Sequence, residues 1–175
     1  MTDLLLLPPA LGVLGMVVAI IIYMIVKTYD PGSDALKKIA DAIHEGAMVF
    51  MKREYTQLAI FALVLVVAIY FSLGSSTAIA FLAGALSSAC AGWFGMYTAT
   101  QANVRTTNAA HTDGQASALS VAFFGGSIMG LAVASLGLIG LGSVYYFFGG
   151  DPETAHHIHG FGMGCLLYTS DAADE

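Results

Sequence analysis

Long apolar runs separated by short polar segments form the main pattern of the 175-residue chain. A helix needs roughly 20 apolar residues to cross the hydrocarbon of a bilayer, and in lipid a helix satisfies its own backbone polar groups. Four runs meet this condition, at about residues 4–26, 57–73, 77–100 and 116–148. The pattern therefore predicts an all-α, multi-pass membrane bundle, with a tight turn at 74–76.

The segment between the first two runs has a different, amphipathic pattern. "YDPGSD" (29–34) breaks the first helix, and Ser33 or Asp34 can cap a new one. Apolar residues then recur at helical spacing: Leu36, Ile39, Ala40, Ile43, Ala47, Phe50 and Met51. The segment could lie on the membrane surface, or it could extend the second span into the cytoplasm. Since no turn signal interrupts 35–73, we favour the extension, with an Asp34–Lys38 ion pair at its start.

Composition and charge restrict the class of protein further. The chain is 57% hydrophobic and 10% charged, whereas soluble domains carry about 25% charged residues. The first apolar run lacks a positive flank and exceeds a signal-peptide core, so it predicts a retained span. The net charge of −6 comes from scattered acids. Without a basic block, we expect the bilayer, and no nucleic acid, as a partner.

The basic residues are distributed asymmetrically along the chain. Five lie between the first and second runs and one lies between the third and fourth: Lys27, Lys37, Lys38, Lys52, Arg53 and Arg105. Cytoplasmic segments of membrane proteins carry such an excess of lysine and arginine. The distribution predicts an N-terminus outside, with 27–56 and 101–115 cytoplasmic. We separately expect the bacterial inner membrane as the location of the protein.

Small residues recur every four positions in the third and fourth runs. Membrane helices associate through such small surfaces, because lipid gives them no hydrophobic reason to pack. The third run carries Gly84, Ser88 and Gly92, and the fourth carries Ala118, Ala122, Gly126, Gly130 and Ala134. We expect Gly84, Ser88, Gly92, Gly126 and Gly130 to form helix contacts in a tight bundle.

Few residues are candidates for chemistry. Arg105 could bind a phosphate or carboxylate through two nitrogens, or it could anchor the interface and bond helix-end carbonyls. His156, His157 and His159 could bind a metal ion or lie in a solvated loop. Glu45 and Glu54 fit structural ion pairs with nearby bases better than acid–base chemistry. We assign no catalytic, substrate-binding or metal-binding residue.

The last eleven residues differ in character from what precedes them. "GFGMG" (160–164) is typical of the start of a fifth membrane segment, but "CLLYTSDAADE" (165–175) brings three acids where hydrocarbon should continue. That peptide resembles the translation of a sequencing adapter. We therefore predict native helices over 1–164, a non-native tail over 165–175, and a natural protein that continues beyond Gly164.

Four ordered segments resemble the membrane-integral, ion-translocating pyrophosphatases. "EGAMVFMKREY" (45–55) is similar to their EGAxxFLxREY segment, with Met51 in place of leucine, and "GMYTATQANVRTTNAA" (95–110) to GMxxATxANVRTxxAA. "ALSVAFFGGSIMGLAVASLGLIGL" (118–141) resembles their ALxVAFxGGxVMGL helix, and "GFGMG" their GFGxGAS. The resemblance covers about 1–164, roughly the first quarter of a family member.

The resemblance implies a homodimer of about sixteen helices per subunit that hydrolyses magnesium pyrophosphate on the cytoplasmic side and pumps H⁺ or Na⁺. Mg²⁺ is the implied cofactor and K⁺ a second candidate. The family's catalytic motifs belong to later helices, so this segment is expected to be inactive alone. A supporting role is implied for the matching motif residues: Glu45, Gly46, Phe50, Arg53, Glu54, Tyr55, Asn103, Val104, Arg105 and Thr106. The alternative is a non-enzymatic membrane bundle or transporter subunit.

Overall fold

The computed structural model describes residues 5–148 and 157–168, which form five α-helices. They are α1 (Leu7–Thr28), α2 (Asp34–Leu73), α3 (Ser75–Thr112), α4 (Gln115–Phe148) and α5 (Ile158–Cys165), with a 3₁₀ turn at Leu166–Tyr168. The first four are long and apolar enough to cross a membrane. This confirms the predicted all-α, multi-pass class. Leu4, which the first predicted span included, lies outside the described residues.

The boundary between α1 and α2 follows the predicted break. α1 has proline in its first turn, where a missing N–H costs no helical hydrogen bond, and it ends before the extended residue Tyr29. Ser33 then caps α2, because its Oγ accepts a hydrogen bond from the backbone N–H of Leu36 at 3.4 Å. The polar break therefore separates two helices rather than bending one.

α2 is a single 40-residue helix, which confirms the predicted extension of the second span. Its amphipathic stripe packs only along one edge. Met51 is buried, Ala40 and Ala47 are half-buried, but Ile43 and Phe50 are each 54% exposed. The predicted Asp34–Lys38 pair is wrong, because Asp34 Oδ1 lies 3.6 Å from Nζ of Lys37.

The predicted loop at 101–115 is wrong for most of its length. α3 continues to Thr112, and only Asp113–Gly114 turns the chain into α4. The segment contains neither proline nor glycine before Gly114, and its threonine hydroxyls bond back to carbonyls one turn earlier, as Thr106 does to Ala102 at 3.0 Å. Polar residues are therefore accommodated in the helix, and the turn falls where the Asp-Gly pair predicted it.

α3 is the central helix of the described bundle. It packs against α2, α4 and α5, while α1 packs mainly on α4. Backbones meet where α3 crosses α5: a Cβ on Gly84 would collide with the carbonyl oxygen of Phe161, and one on Gly164 with that of Phe81. Ser88 Oγ also donates a 2.9 Å hydrogen bond to the carbonyl of Cys165. Both Gly84 and Ser88 therefore lie at a helix contact, and Gly92 is buried.

The small residues of α4 divide between two faces. The buried face carries Val121, Gly125, Ile128, Ala132 and Ser135. Gly126 and Gly130 lie on an exposed face, where an added Cβ would meet no atom within 4 Å. A strict spacing of four drifts around a helix of 3.6 residues per turn, so it did not identify the face that packs within this chain. The contacts predicted for Gly126 and Gly130 remain a prediction.

Substitution of Gly84 by alanine should destabilise the bundle. The added Cβ must displace the α5 backbone, and overpacking of this kind costs about 1–3 kcal/mol. Gly126→Ala is the matched control, because it offers the same gain in helix propensity at an open position. Thermal unfolding in detergent should show a lower Tm for Gly84→Ala alone. Equal Tm values for both variants would contradict the α3–α5 contact.

Candidate functional site: the Arg105 junction

The motif at 103–106 lies where the second half of α3 packs against the first half of α2 and the end of α1. We call this region the Arg105 junction; it comprises the end of α1, the first half of α2 and residues 97–112 of α3. Residues 45–55 lie in the middle of α2, and residues 103–106 lie near the end of α3. Both motifs therefore belong to long helices, whose rigid backbones fix the direction of each side chain.

Arg105 is buried, with 8% of its surface exposed. Its Nη1 donates to the backbone carbonyl of Gln101 at 2.7 Å and is 3.3 Å from the side-chain Oε1 of the same residue. Both acceptors are neutral. Within the described part of the chain, its Nε is buried without a hydrogen-bond partner. The guanidinium thus bonds a carbonyl inside α3 and not one at the end of the helix, and it is only partly satisfied.

Two small polar cavities border Arg105. One of about 260 Å³ lies toward the end of α1 and is lined by Tyr29, Asp30, Arg105, Asn108, Ala109, Thr112 and Asp113. The other, of about 200 Å³, lies toward α2 and is lined by Pro31, Lys37, Ala40, Asp41, Thr100, Gln101, Val104 and Arg105. The guanidinium thus separates two polar spaces at the same end of the bundle.

The loop after α1 is held against α3 by Asn108. Its Nδ2 donates to the carbonyl of Asp30 at 3.1 Å, while Asp30 Oδ1 accepts the N–H of Gly32 at 2.9 Å. Gly32 has φ +87°, and a Cβ there would meet Asn108 Oδ1 at 2.5 Å. The loop therefore needs glycine for both its backbone conformation and its close approach to α3.

His44 links α2 to α3 through Thr100. The Nδ1 of His44 lies 2.7 Å from Thr100 Oγ1, and that hydroxyl donates to the carbonyl of Tyr97 at 2.9 Å. A hydroxyl has one proton to donate, so His44 Nδ1 must be the donor to Thr100. The imidazole also meets the Tyr97 ring edge-on at 5.2 Å between centroids. One direct polar contact therefore fixes the tautomer of the histidine and the position of α2.

Some of the remaining motif residues contact another helix or a cavity, and the others lie at or near the surface. Tyr55 donates through its hydroxyl to the carbonyl of Ala89 at 2.6 Å, which is a second link between α2 and α3. Val104 lines a cavity and Thr106 is half-buried. The others lie at the surface of the described chain or are half-buried there: Glu45, Gly46, Phe50, Arg53, Glu54 and Asn103. No ion pair of Glu45 or Glu54 within 4.0 Å is present among the described residues.

The donor set of this segment does not fit a site for magnesium pyrophosphate. Mg²⁺ takes carboxylate and water oxygens in octahedral geometry, and pyrophosphate hydrolysis requires several such ions. Among residues 5–148 and 157–168, no group of three or more His, Cys, Asp and Glu side chains converges. Of the histidine cluster, His157 lies 2.7 Å from Thr77 Oγ1, His159 is exposed, and His156 lies outside the described residues.

Sequence patterns did not identify two of these contacts. His44 and Thr100 are 56 residues apart, and neither belongs to a charged cluster. The bond from Asn108 to Asp30 spans 78 residues. The only available signal was the position of Asn108 in a polar patch at a helix end. Such pairings depend on how helices cross, which periodicity alone does not determine.

Four bilayer-length helices, joined by close backbone contacts and a polar junction, define a multi-pass membrane protein of the helical-bundle class. The sequence profile of the inorganic H⁺ pyrophosphatase family matches residues 13–172, and the chain belongs to that family. The matched range includes part of the tail predicted to be non-native; the origin of that tail remains a prediction.

Several pumps are similar to this chain. A K⁺-insensitive pyrophosphate-energized proton pump of Methanosarcina mazei is 40% identical over 161 residues, which are 91% of this chain and 23% of the relative. The K⁺-insensitive pyrophosphate-energized proton pump 2 of Moorella thermoacetica is 43% identical over 162 residues, which are 89% of this chain and 23% of the relative. A K⁺-stimulated pyrophosphate-energized sodium pump of Thermotoga maritima is 44% identical over 121 residues, which are 67% of this chain and 16% of the relative. The chain thus spans 16–23% of the length of these relatives.

The His44–Thr100 link can be tested by a double-mutant cycle. Thr100→Val should lower the free energy of unfolding by about 1 kcal/mol, because it removes the acceptor of the histidine. His44→Ala should destabilise the Thr100→Val variant less than it destabilises the parent chain, because both substitutions remove the same hydrogen bond, whereas the ring contact with Tyr97 is lost in either background. Thr107→Val is the control, because that hydroxyl is exposed and bonds only within its own helix. Additive effects of the two variants would refute the link.

Proposed function

We propose that this chain is part of an ion pump that couples hydrolysis of magnesium pyrophosphate on the cytoplasmic side to transport of H⁺ or Na⁺. Membership of the inorganic H⁺ pyrophosphatase family supports this most directly. The relatives named above are pyrophosphate-energized pumps, of which some carry protons and one carries sodium. Because this chain covers less than a quarter of each relative, the activity would belong to the longer protein.

Within such a pump, the described helices would serve as supporting structure. They lack a converging set of carboxylates, so the Mg²⁺ and pyrophosphate ligands would come from other helices. Tyr55 would hold α2 against α3 through its bond to the carbonyl of Ala89, while Arg105 would bond within α3 near the cytoplasmic end of that helix. The open stripe with Gly126 and Gly130 would accept a further helix, because lipid contact does not require such small residues.

The proposal extends to the oligomeric state, the ions required and the membrane location of the pump. The functional unit would be a homodimer with Mg²⁺ as cofactor, and with K⁺ as an activator in one subclass, since the relatives include K⁺-insensitive and K⁺-stimulated pumps. The protein would lie in the bacterial inner membrane. The junction end of the bundle would face the cytoplasm, because Lys37 and Arg105 line one cavity there and Lys27 lies in the last turn of α1.

A chimera tests the assignment to the pump. Residues 1–164 would replace the corresponding segment of the Moorella thermoacetica pump, with which this chain shares 43% identity. The chimera should hydrolyse pyrophosphate within about tenfold of the parent, a loss of at most about 1.4 kcal/mol in transition-state stabilisation. It should also acidify inverted vesicles, while residues 1–164 alone should show neither activity. An inactive but folded chimera, together with a stable oligomer of residues 1–164, would favour the non-enzymatic bundle instead.

Cysteine labelling tests the proposed orientation. Thr154→Cys should react with a membrane-impermeant thiol reagent on intact cells, and Lys38→Cys should react only after permeabilisation. Both variants would carry alanine at Cys90 and Cys165, so that each protein has one thiol. Mass spectrometry of the purified protein gives the labelled fraction. Labelling of position 38 on intact cells would reverse the orientation.

A further inference from the structure

The guanidinium of Arg105 has fewer partners than its burial requires. Arginine stays charged at any accessible pH and carries five N–H donors. Here the protein gives it two neutral oxygens, both from Gln101, and leaves Nε buried without a partner in the described chain. A buried cation without an anionic partner is strongly destabilising, so the surroundings of Arg105 indicate an anion that completes its coordination.

The acidic residues nearest to Arg105 do not supply that anion in this structure. Asp30, Asp41 and Asp113 line the two cavities that border it. Within residues 5–148 and 157–168, however, the ion pair shorter than 4.0 Å is that of Lys37 with Asp34, and none of the three acids reaches the guanidinium. Asp30 already bonds the N–H of Gly32. These carboxylates therefore form the rims of the cavities.

We propose that Arg105 is the receptor for one carboxylate group, which it binds through Nε and a terminal nitrogen across one of these cavities. A planar carboxylate matches the fork of a guanidinium in this two-point geometry. The acidic rims favour a single negative charge, because a phosphate or pyrophosphate would bring further charge against three aspartates. The carboxylate can come from an acidic side chain of the longer protein or from a small free acid.

The two arginines of the sequence make this proposal directly measurable. Arg53 is exposed and Arg105 is buried, so arginine labelled with a nitrogen isotope gives two Nε–H signals that should differ in chemical shift. The Arg53→Gln variant loses the Arg53 signal and so assigns the remaining signal to Arg105. In the full chain in detergent, acetate should move the Arg105 signal saturably in the millimolar range and leave Arg53 unchanged. Coincident signals would show that Arg105 is not buried, and would overturn the proposal.

Two comparisons separate carboxylate binding from general ionic effects. Sodium chloride at equal ionic strength should leave the Arg105 signal in place, and inorganic phosphate should act only at higher concentrations than acetate. An equal response to chloride would overturn the proposal, as would tighter binding of phosphate.

A near-isosteric variant tests the geometry independently. Gln101→Glu places a carboxylate where the side-chain oxygen already lies 3.3 Å from Nη1. It should satisfy the guanidinium internally and abolish the acetate response. Gln115→Glu is the matched control, because Gln115 is exposed at the start of α4, and it should keep that response. An undiminished response in Gln101→Glu would contradict the proposed site.

The Moorella chimera distinguishes the two sources of the carboxylate. If a side chain of the longer protein occupies Arg105, acetate should not raise the Tm of the chimera, although it raises that of the present chain. If the ligand is a free acid, acetate should raise both. This comparison measures the Tm and not the enzymatic activity, so it remains informative even if the chimera hydrolyses no pyrophosphate.

Discussion

The close approach of helix backbones is the constraint on which this structure depends. In lipid, large apolar side chains gain nothing by leaving their surroundings, so helices associate where small residues allow dense contact. Gly84 and Gly164 provide such a contact reciprocally, each lying against a carbonyl of the other helix. Between α1 and α4, Gly12 lies against the carbonyl of Ser135, and Gly142 makes room for the ring of Pro9. Many bulky residues point outward instead, as Phe71 does with 82% of its surface exposed.

α2 is held differently, because it has few such contacts. Only Met51 and Ile69 of its 40 residues are buried. Its direct polar links to α3, from His44 to Thr100 and from Tyr55 to Ala89, lie on the same side of the helix, eleven residues or about three turns apart. Two hydrogen bonds at this spacing fix both the rotation and the tilt of a helix that glycine contacts do not restrain. The charged motif around Tyr55 thus belongs to an interface that combines this hydrogen bond with the apolar contact of buried Met51.

The sequence was informative where local chemistry decides structure. The caps and breaks around Ser33, Gly74 and Gly114 were predictable, because each depends on a few neighbouring residues. The continuity of α2 was predictable from the absence of breakers. The length of α3 was not, since polarity at 101–112 suggests a loop although threonines can bond to their own helix. The packing face of α4 was not predictable either, because glycine and alanine occur on all its sides, and the stripe at a spacing of four lies beside the one that packs.

The Arg105 junction was only partly predictable, because its contacts depend on how the helices cross. The motif around Arg105 marked the region, but the bond of Asn108 to Asp30 and the two cavities arise from how α1 and α2 meet α3. Two independent observations within the described chain favour a further segment packed against it. One is a helix face with open glycines, and the other is a buried cation with only neutral partners. Small residues reduce dispersion against lipid, and an unpaired guanidinium costs solvation, so each feature is unfavourable in this chain alone. Both would become favourable if another segment brought a close-packed backbone and a carboxylate, as the proposed supporting role requires.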